Sequence, residues 1–351
     1  MTKMRAIVWR GKNDVRLEEV EKPTPGYGDA LVKVTTASIC ASDVHFVTGA
    51  YPIPAGLILG HEFVGVIDDL GSGVSGWNVG DRVAVGAIAP CGQCYFCKKG
   101  SKMQCQAEPG GGMFGNTING CNADYVLVPH AQFNLAKIPD SLTDEQVLFC
   151  GDIMTTGFSA SDRANVQPGD TVAIFAQGPV GLCATVGARL RGAAKIITVE
   201  SIPNRQEMSR KFGADLVLDP AKTDVVHDII NLTEGRGADI TIEALGKTET
   251  FEAALRAVRR GGILSSLGVY SGDCTIPLDA FGAGIWDKTI ISTLCPTGGE
   301  RINTMINLVN CGKVDLTPLI THRFSLEQYL EAYHIFSQKL ENVLKVAIQV
   351  N

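Results

Sequence analysis

Along the first part of the chain, apolar residues recur at every second position in short runs cut by glycine, proline and aspartate, which is the period of half-buried strands. "AIVW" at Ala6 to Trp9 opens the series, and "ALVKVTTASI", "EFVGVIDDLG", "DRVAVGAI" and "ADYVLVP" continue it, so the chain reads as all-β from Met1 to about Leu148. After Gly157 the period changes. "TVAIFA" is followed by "QGPVGLCATVGARLRG", "KIITVES" by "PNRQEMSRKFGA", "DLVLD" by "DVVHDIINLTEG", and "ADITIEALG" by "TFEAALRAVRRGG" before "GILSSLGVY". Strand and helix in alternation predict an α/β fold with a doubly wound parallel sheet. The last stretch offers two helices, "GERINTMINLVNCG" and "SLEQYLEAYHIFSQ", and a strand, "VLKVAIQV", with no second glycine fingerprint. It is read as a return to the first domain. The expected division is a catalytic domain at 1–153, a dinucleotide-binding domain at 154–295 and the return at 296–351.

A chain of 351 residues, 45% hydrophobic and with 39 glycines, suits two soluble globular domains. A net charge of -6 offers no basic field for nucleic acid, which is excluded as a partner. The opening residues run straight into a strand without the layout of a signal peptide, and no apolar run reaches the length of a membrane span. A cytoplasmic protein with no membrane partner is expected.

Gly178, Pro179, Val180 and Gly181 stand directly after a strand and at the head of a helix, where backbone amides and the helix dipole favour a pyrophosphate. The usual fingerprint has an earlier glycine, and here that position is Ala176. The next strand ends in Glu200, near the offset at which an acidic side chain binds the ribose hydroxyls and repels a 2′-phosphate. That predicts NAD(H). The other reading makes Glu200 the start of a surface loop, with Arg205 contacting phosphate.

Cys91, Cys94, Cys97 and Cys105 fall within one glycine- and lysine-bearing segment, a spacing that can wrap a tetrahedral ion. Four thiolates repel unless a cation neutralises them, and four protein ligands leave no place for water, so a structural zinc is expected in the lobe at 91–105. An iron–sulfur cluster or idle thiols are the alternatives.

"SICASDVH" and "GHEFVGVIDDLGSGVSGWNVGDRVAV", then the cysteine lobe and the "GPVG" turn, in that order, resemble the zinc-containing medium-chain alcohol dehydrogenases over essentially the whole chain. The resemblance implies a GroES-like catalytic domain beside the Rossmann domain. It implies a catalytic zinc on Cys40, His61 and Asp152, with Cys150 as the rival to Asp152. Much of the family has cysteine at that third position; the aspartate, "MTTG" and "DKTIISTLCP" resemble instead the bacterial secondary-alcohol dehydrogenases. Three ligands leave one place on the ion for a water or alcohol oxygen. Ser42 and His45 look like the family's proton relay and Glu62 like its carboxylate beside the metal.

The implied activity is hydride transfer between NAD(H) and a secondary alcohol or its ketone, by a homo-oligomer, tetramer or dimer. A polyol or threonine dehydrogenase of the same fold and a catalytically silent NAD-binding protein are the rivals. Phe114 and the "GGGMFG" loop are candidate substrate contacts. Cys121, Cys183, Cys274, Cys295 and Cys311 are read as packing residues, and His130, His227, His322 and His334 as surface or structural ones.

Overall fold

The computed structural model describes residues 2–107 and 111–351. Contacts divide the chain into two compact units, one of Met1–Thr155 with Cys295–Asn351 and one of Thr156–Leu294. Gly110, the first residue of the "GGGMFG" loop, lies outside the described residues. Among those described, no helix is long and apolar enough to cross a membrane.

The first unit is built on a seven-stranded sheet. Its path runs Ile320–Ser325, Lys345–Gln349, Ala30–Ser38, Glu62–Leu70, Arg82–Val85 and Leu135–Lys137, with Tyr125–Val128 also paired to Ala30–Ser38. The C-terminal strand thus pairs antiparallel with Ala30–Ser38, placing Ala347 opposite Ser38. Ser38 in turn lies opposite Glu62. Alternate residues Ile7, Val32, Val34, Phe63, Ile67, Val83 and Val85 point inward to one core, joined from the C-terminal return by Leu326, Tyr329, Val346 and Ile348.

The second unit is a six-stranded parallel sheet in the order Leu216–Leu218, Lys195–Val199, Thr171–Phe175, Ala238–Glu243, Val258–Ser266, Thr289–Ser292. Chain order reverses between Thr171–Phe175 and Ala238–Glu243, and ligands of such sheets bind outside the carboxyl ends of the strands at that switch. Helix Pro179–Leu190 begins with Gly178 as N-cap and proline at its first turn, the usual asymmetry of a helix start. Asp224 caps Val225–Leu232 by accepting from the amides of Val226 and His227.

Three local readings differ from the structure. The region expected to be all-β contains the seven-residue helix Ala41–Val47, which starts where the Asp43 carboxylate accepts the Cys40 amide at 2.9 Å. The change to helix comes earlier than Gly157, in Ile153–Arg163. The helix read through "TFEAALRAVRRGG" stops at Ala257, because Val258 is extended and pairs with Ala238, and Gly261 at φ +64° cannot continue a right-handed helix. Two packing assignments also fail: Cys274 and Cys311 are exposed, the latter as the cap that ends Gly299–Asn310, whereas Cys121, Cys183 and Cys295 are buried.

Candidate metal and dinucleotide sites

Cys40 precedes helix Ala41–Val47, His61 precedes strand Glu62–Leu70, and Asp152 precedes helix Ile153–Arg163. All three are buried, and their sulfur, nitrogen and oxygen donors lie within 4.8 Å of one another. Asp152 Oδ2 is 3.7 Å from Cys40 Sγ and 3.5 Å from His61 Nε2. Cys150 is not part of this group; its sulfur packs against the Met154 sulfur at 3.8 Å.

The donors fit a divalent cation by their own chemistry. Burial opposes ionisation of Asp152, yet the hydrogen bond and charge of His61 hold its carboxyl down at about 2. Burial likewise opposes a charged His61, and the negative Asp43 and Cys40 override it, pushing the imidazole well above its ordinary range. The set therefore draws positive charge onto itself. His61 Nδ1 lies 3.5 Å from Asp43 Oδ1, both atoms buried without a hydrogen-bond partner, so Asp43 stands behind His61 while Nε2 faces the other donors.

Gly60 explains the close approach of this segment. It has φ +95°, and a Cβ there would lie 2.5 Å from Asn122, whose amide donates to the Tyr329 hydroxyl at 3.0 Å. The C-terminal return thus backs the His61 turn.

Ser42 Oγ lies 3.9 Å from Cys40 Sγ. His45 is half-buried three residues further along the same helix face, edge-on to Tyr51 at 5.7 Å between ring centroids. Glu62 is fully buried, with Lys345 as its ion-pair partner. Burial, and secondarily Asp152, push its carboxyl up against the pull of Lys345 and His61. Phe114 is completely buried, edge-on to Phe63 at 5.6 Å, and so fills the core.

Sequence reasoning missed Asp43 and Lys345. Asp43 carries the signal of a carboxylate at the third position of a helix, where it reaches back to the cap amide. Lys345 was visible as the lone charge inside "VLKVAIQV", a strand that otherwise demands apolar side chains.

Cys91, Cys94, Cys97 and Cys105 form the second group, with all four sulfurs within 4.8 Å of one another and none in a disulfide. Backbone amides point at the sulfurs: Cys91 donates to Cys105 Sγ at 3.3 Å, and Gln93 and Cys94 donate to Cys91 Sγ at 3.4 and 3.3 Å. The amides of Cys97 and Gln106 pull the Cys94 thiol down to about 6, while burial pushes Cys97 up to about 12. Without a cation the four cannot all be thiolates; a zinc ion satisfies them together. Cys97→Ser is expected to cost one zinc per chain and lower Tm by roughly 5 °C or more, read by metal content and calorimetry.

In the second unit, Gly178 and Gly181 sit at the end of Thr171–Phe175, at the head of helix Pro179–Leu190. A Cβ on Gly181 would stand 2.0 Å from the Ala176 carbonyl oxygen, so only glycine lets helix and turn meet. Ala176, at the departed fingerprint position, takes φ +72°, a conformation that costs a side chain roughly 1 kcal/mol. The Glu200 carboxylate accepts the Gln177 amide at 2.8 Å and those of Ser201 and Ile202 at 2.9 and 3.0 Å, tying two strand ends together. Arg205 leans over the same turn, its Nη1 3.8 Å from where a Gly178 Cβ would be, and burial pulls its guanidinium down.

A β-rich unit with one three-donor and one four-cysteine metal group, joined in sequence to a parallel dinucleotide sheet, defines a zinc-binding dehydrogenase as a class. Comparison with known proteins agrees. Residues 26–140 match the alcohol dehydrogenase GroES-like domain, and 179–310 match the zinc-binding dehydrogenase domain. An alcohol dehydrogenase of Cupriavidus necator is 50% identical over 95% of this chain and 96% of its own. An NADP-dependent isopropanol dehydrogenase of Thermoanaerobacter brockii is 34% identical, over 94% of this chain and 95% of its own. Among solved structures, alcohol dehydrogenase TADH from Thermus sp. ATN1 superposes with a TM-score of 0.90 at 33% identity, covering 99% of this chain and all of that one. The chain belongs to the zinc-dependent medium-chain alcohol dehydrogenases, close to the bacterial secondary-alcohol dehydrogenases.

Proposed function

We propose that this alcohol dehydrogenase oxidises small secondary alcohols and reduces the matching ketones with NAD(H) as hydride partner. The observation that carries this reading is the buried convergence of Cys40, His61 and Asp152, a thiol, an imidazole and a carboxylate that together would hold a zinc ion. Zinc held there supplies Lewis acidity, which makes a hydroxyl easier to ionise and a carbonyl easier to attack.

The chain's own residues do the rest. The Ser42 hydroxyl, both acceptor and donor, takes the alcohol proton and passes one on to His45 on the same helix face. His45, half-buried, gives the proton to water. The C–H hydrogen leaves with its electron pair for NAD⁺, so the alcohol becomes a ketone and NADH forms, with one proton released. Asp43 fixes the ring of His61.

Glu200 supports NAD(H). Three amides hold its carboxylate at the end of the second strand, where its charge opposes a 2′-phosphate. The "MTTG" segment after Asp152 and the isopropanol dehydrogenase relatives support a secondary alcohol.

A panel of primary and secondary alcohols, diols, threonine and ketones, run with both cofactors and followed by nicotinamide absorbance, tests this reading. 2-Propanol or 2-butanol with NAD⁺ should exceed ethanol, diols and threonine in kcat/KM by about tenfold or more. A preference for threonine or a polyol assigns the rival activity, and silence on every substrate by the zinc-replete protein rejects catalysis.

A further inference from the structure

We propose that Glu243 and Tyr270 are positioning residues of the dinucleotide site: the phenol locks onto the buried carboxylate and makes one rigid floor of the two turns that leave strands Ala238–Glu243 and Val258–Ser266. The inference rests on the reading that this sheet takes a nicotinamide dinucleotide, and it concerns side chains other than the Gly178 turn and Glu200.

Glu243 closes strand Ala238–Glu243, and its side chain is fully buried. A carboxylate so far from water is costly unless its oxygens are satisfied. Here they are. Oε1 accepts the amides of Leu245 and Gly246, each at 2.9 Å, and the Thr250 hydroxyl at 2.7 Å. Oε2 accepts the Tyr270 hydroxyl at 2.7 Å. The phenol gives its one proton to that bond, so the Ser266 hydroxyl, 2.9 Å away, donates to the phenol oxygen. Burial, and then the charge of Glu243, push the phenol up and keep it a donor. Half-buried Tyr270 also stands edge-on to Phe251, with ring centroids 6.0 Å apart.

The backbone brings the same two turns into contact. Gly246 takes φ +82°, and a Cβ there would lie 2.4 Å from the Val269 carbonyl oxygen; a Cβ on Gly268 would lie 2.2 Å from the Gly246 amide nitrogen and 2.4 Å from Glu243 Oε2. Two glycines therefore interlock around one carboxylate. These turns stand at the carboxyl ends of two neighbouring parallel strands, the first of them bordering the switch point outside which such sheets bind ligands. Each turn carries an exposed apolar side chain, Leu245 on one and Val269 on the other. Turns without such a tie are free to move, and ordering them on binding costs affinity. The Glu243 knot removes that cost beforehand. Its loss weakens dinucleotide binding rather than the chemical step, which raises KM and spares kcat. A carboxylate that merely braces the sheet predicts instead a lower Tm with unchanged binding.

The test is NADH and NADPH binding to the full-length, zinc-loaded protein without substrate, read by the fluorescence of the reduced nicotinamide. Tyr270→Phe keeps the ring and removes one hydroxyl; Kd should rise about fivefold for each dinucleotide, with zinc content unchanged and kcat lowered by no more than about twofold. Glu243→Ala leaves the Leu245 and Gly246 amides and the Thr250 and Tyr270 hydroxyls without their acceptor, and should raise Kd by about tenfold or more. Adding Tyr270→Phe to Glu243→Ala should change Kd by less than about twofold further, because the phenol acts through the carboxylate. Glu243→Gln keeps an acceptor for the amides and can donate to the phenol, so it should stay within about threefold of the wild type. Unchanged binding by Tyr270→Phe, or full additivity in the double variant, overturns the proposal. If Glu243→Ala does not fold, Tyr270→Phe alone decides. A wild type that binds neither dinucleotide rejects the site and this proposal together, whereas one that prefers NADPH overturns only the NAD(H) reading, because the Tyr270→Phe factor is taken within each cofactor.

Discussion

Asp152→Ala is expected to leave one zinc per chain where the wild type holds two, and to cut kcat by about a thousandfold. The size follows from a Lewis acid supplying several kcal/mol to the transition state, at about 1.4 kcal/mol per decade of rate. Asp152 Oδ2 is the point at which the group meets, 3.7 Å from Cys40 Sγ and 3.5 Å from His61 Nε2. Its removal leaves a thiolate and an imidazole, too few donors for tight zinc binding. The four-cysteine lobe shares no residue with this group, so its zinc and the fold should survive. Cys150→Ala is the control. That thiol is buried against Met154, burial pushes it far toward the protonated form, and its loss should spare both metals. Metal content and steady-state rates on the same preparations decide, and zinc lost from Cys150→Ala but kept by Asp152→Ala would reassign the third ligand.

What the sequence displayed and what it hid divide along physical lines. The parallel sheet was legible because strands and helices alternate, most clearly where "TVAIFA", a continuous apolar run, is followed by a helix with its own start signal at Gly178 and Pro179. Residue spacing also exposed the cysteine lobe, since a local metal wrap needs no knowledge of tertiary contacts. Helix Ala41–Val47 was hidden because seven residues give too few turns for a period, and its start depends on Asp43 reaching back to one amide. The strand that begins at Val258 was hidden for another reason: "VRR" continues a helical composition, and only pairing with Ala238 pulls it into the sheet.

The three-donor group lay between these cases. Cys40, His61 and Asp152 are separated by 20 or more residues of chain each, so no local spacing reveals them and only the family resemblance brought them together. Long-range partners such as Lys345 for Glu62, across 283 positions, carry no pairing signal in one sequence. Their trace is compositional, a charge where the strand calls for an apolar residue. Ala176 shows the converse. Its local conformation at φ +72° disfavours any side chain, yet the turn persists because the Gly181 contact and the Glu200 hydrogen bond to Gln177 determine it from both sides.

Under the NAD(H) reading the wild type is expected to prefer NADH, and Glu200→Gln to lower the NADH-over-NADPH ratio of kcat/KM by about a hundredfold. A 2′-phosphate brought against a fixed carboxylate costs several kcal/mol, and removing the charge recovers about 1.4 kcal/mol per tenfold of preference. The substitution acts in a second way as well. Both Glu200 oxygens accept amides, from Gln177 on one side and from Ser201 and Ile202 on the other. A glutamine offers only one acceptor oxygen, so its amide group must oppose an N–H and the turn loosens. NADH should therefore bind more weakly while NADPH binds better, and the two effects separate when kcat/KM is measured for each cofactor. Arg205, half-buried beside Gly178 and near the Glu200 charge, becomes the cation left to meet the phosphate. Adding Arg205→Ala to Glu200→Gln should then erase the NADPH gain without restoring NADH. A wild type that already prefers NADPH, or a Glu200→Gln enzyme with an unmoved ratio, removes Glu200 from cofactor choice.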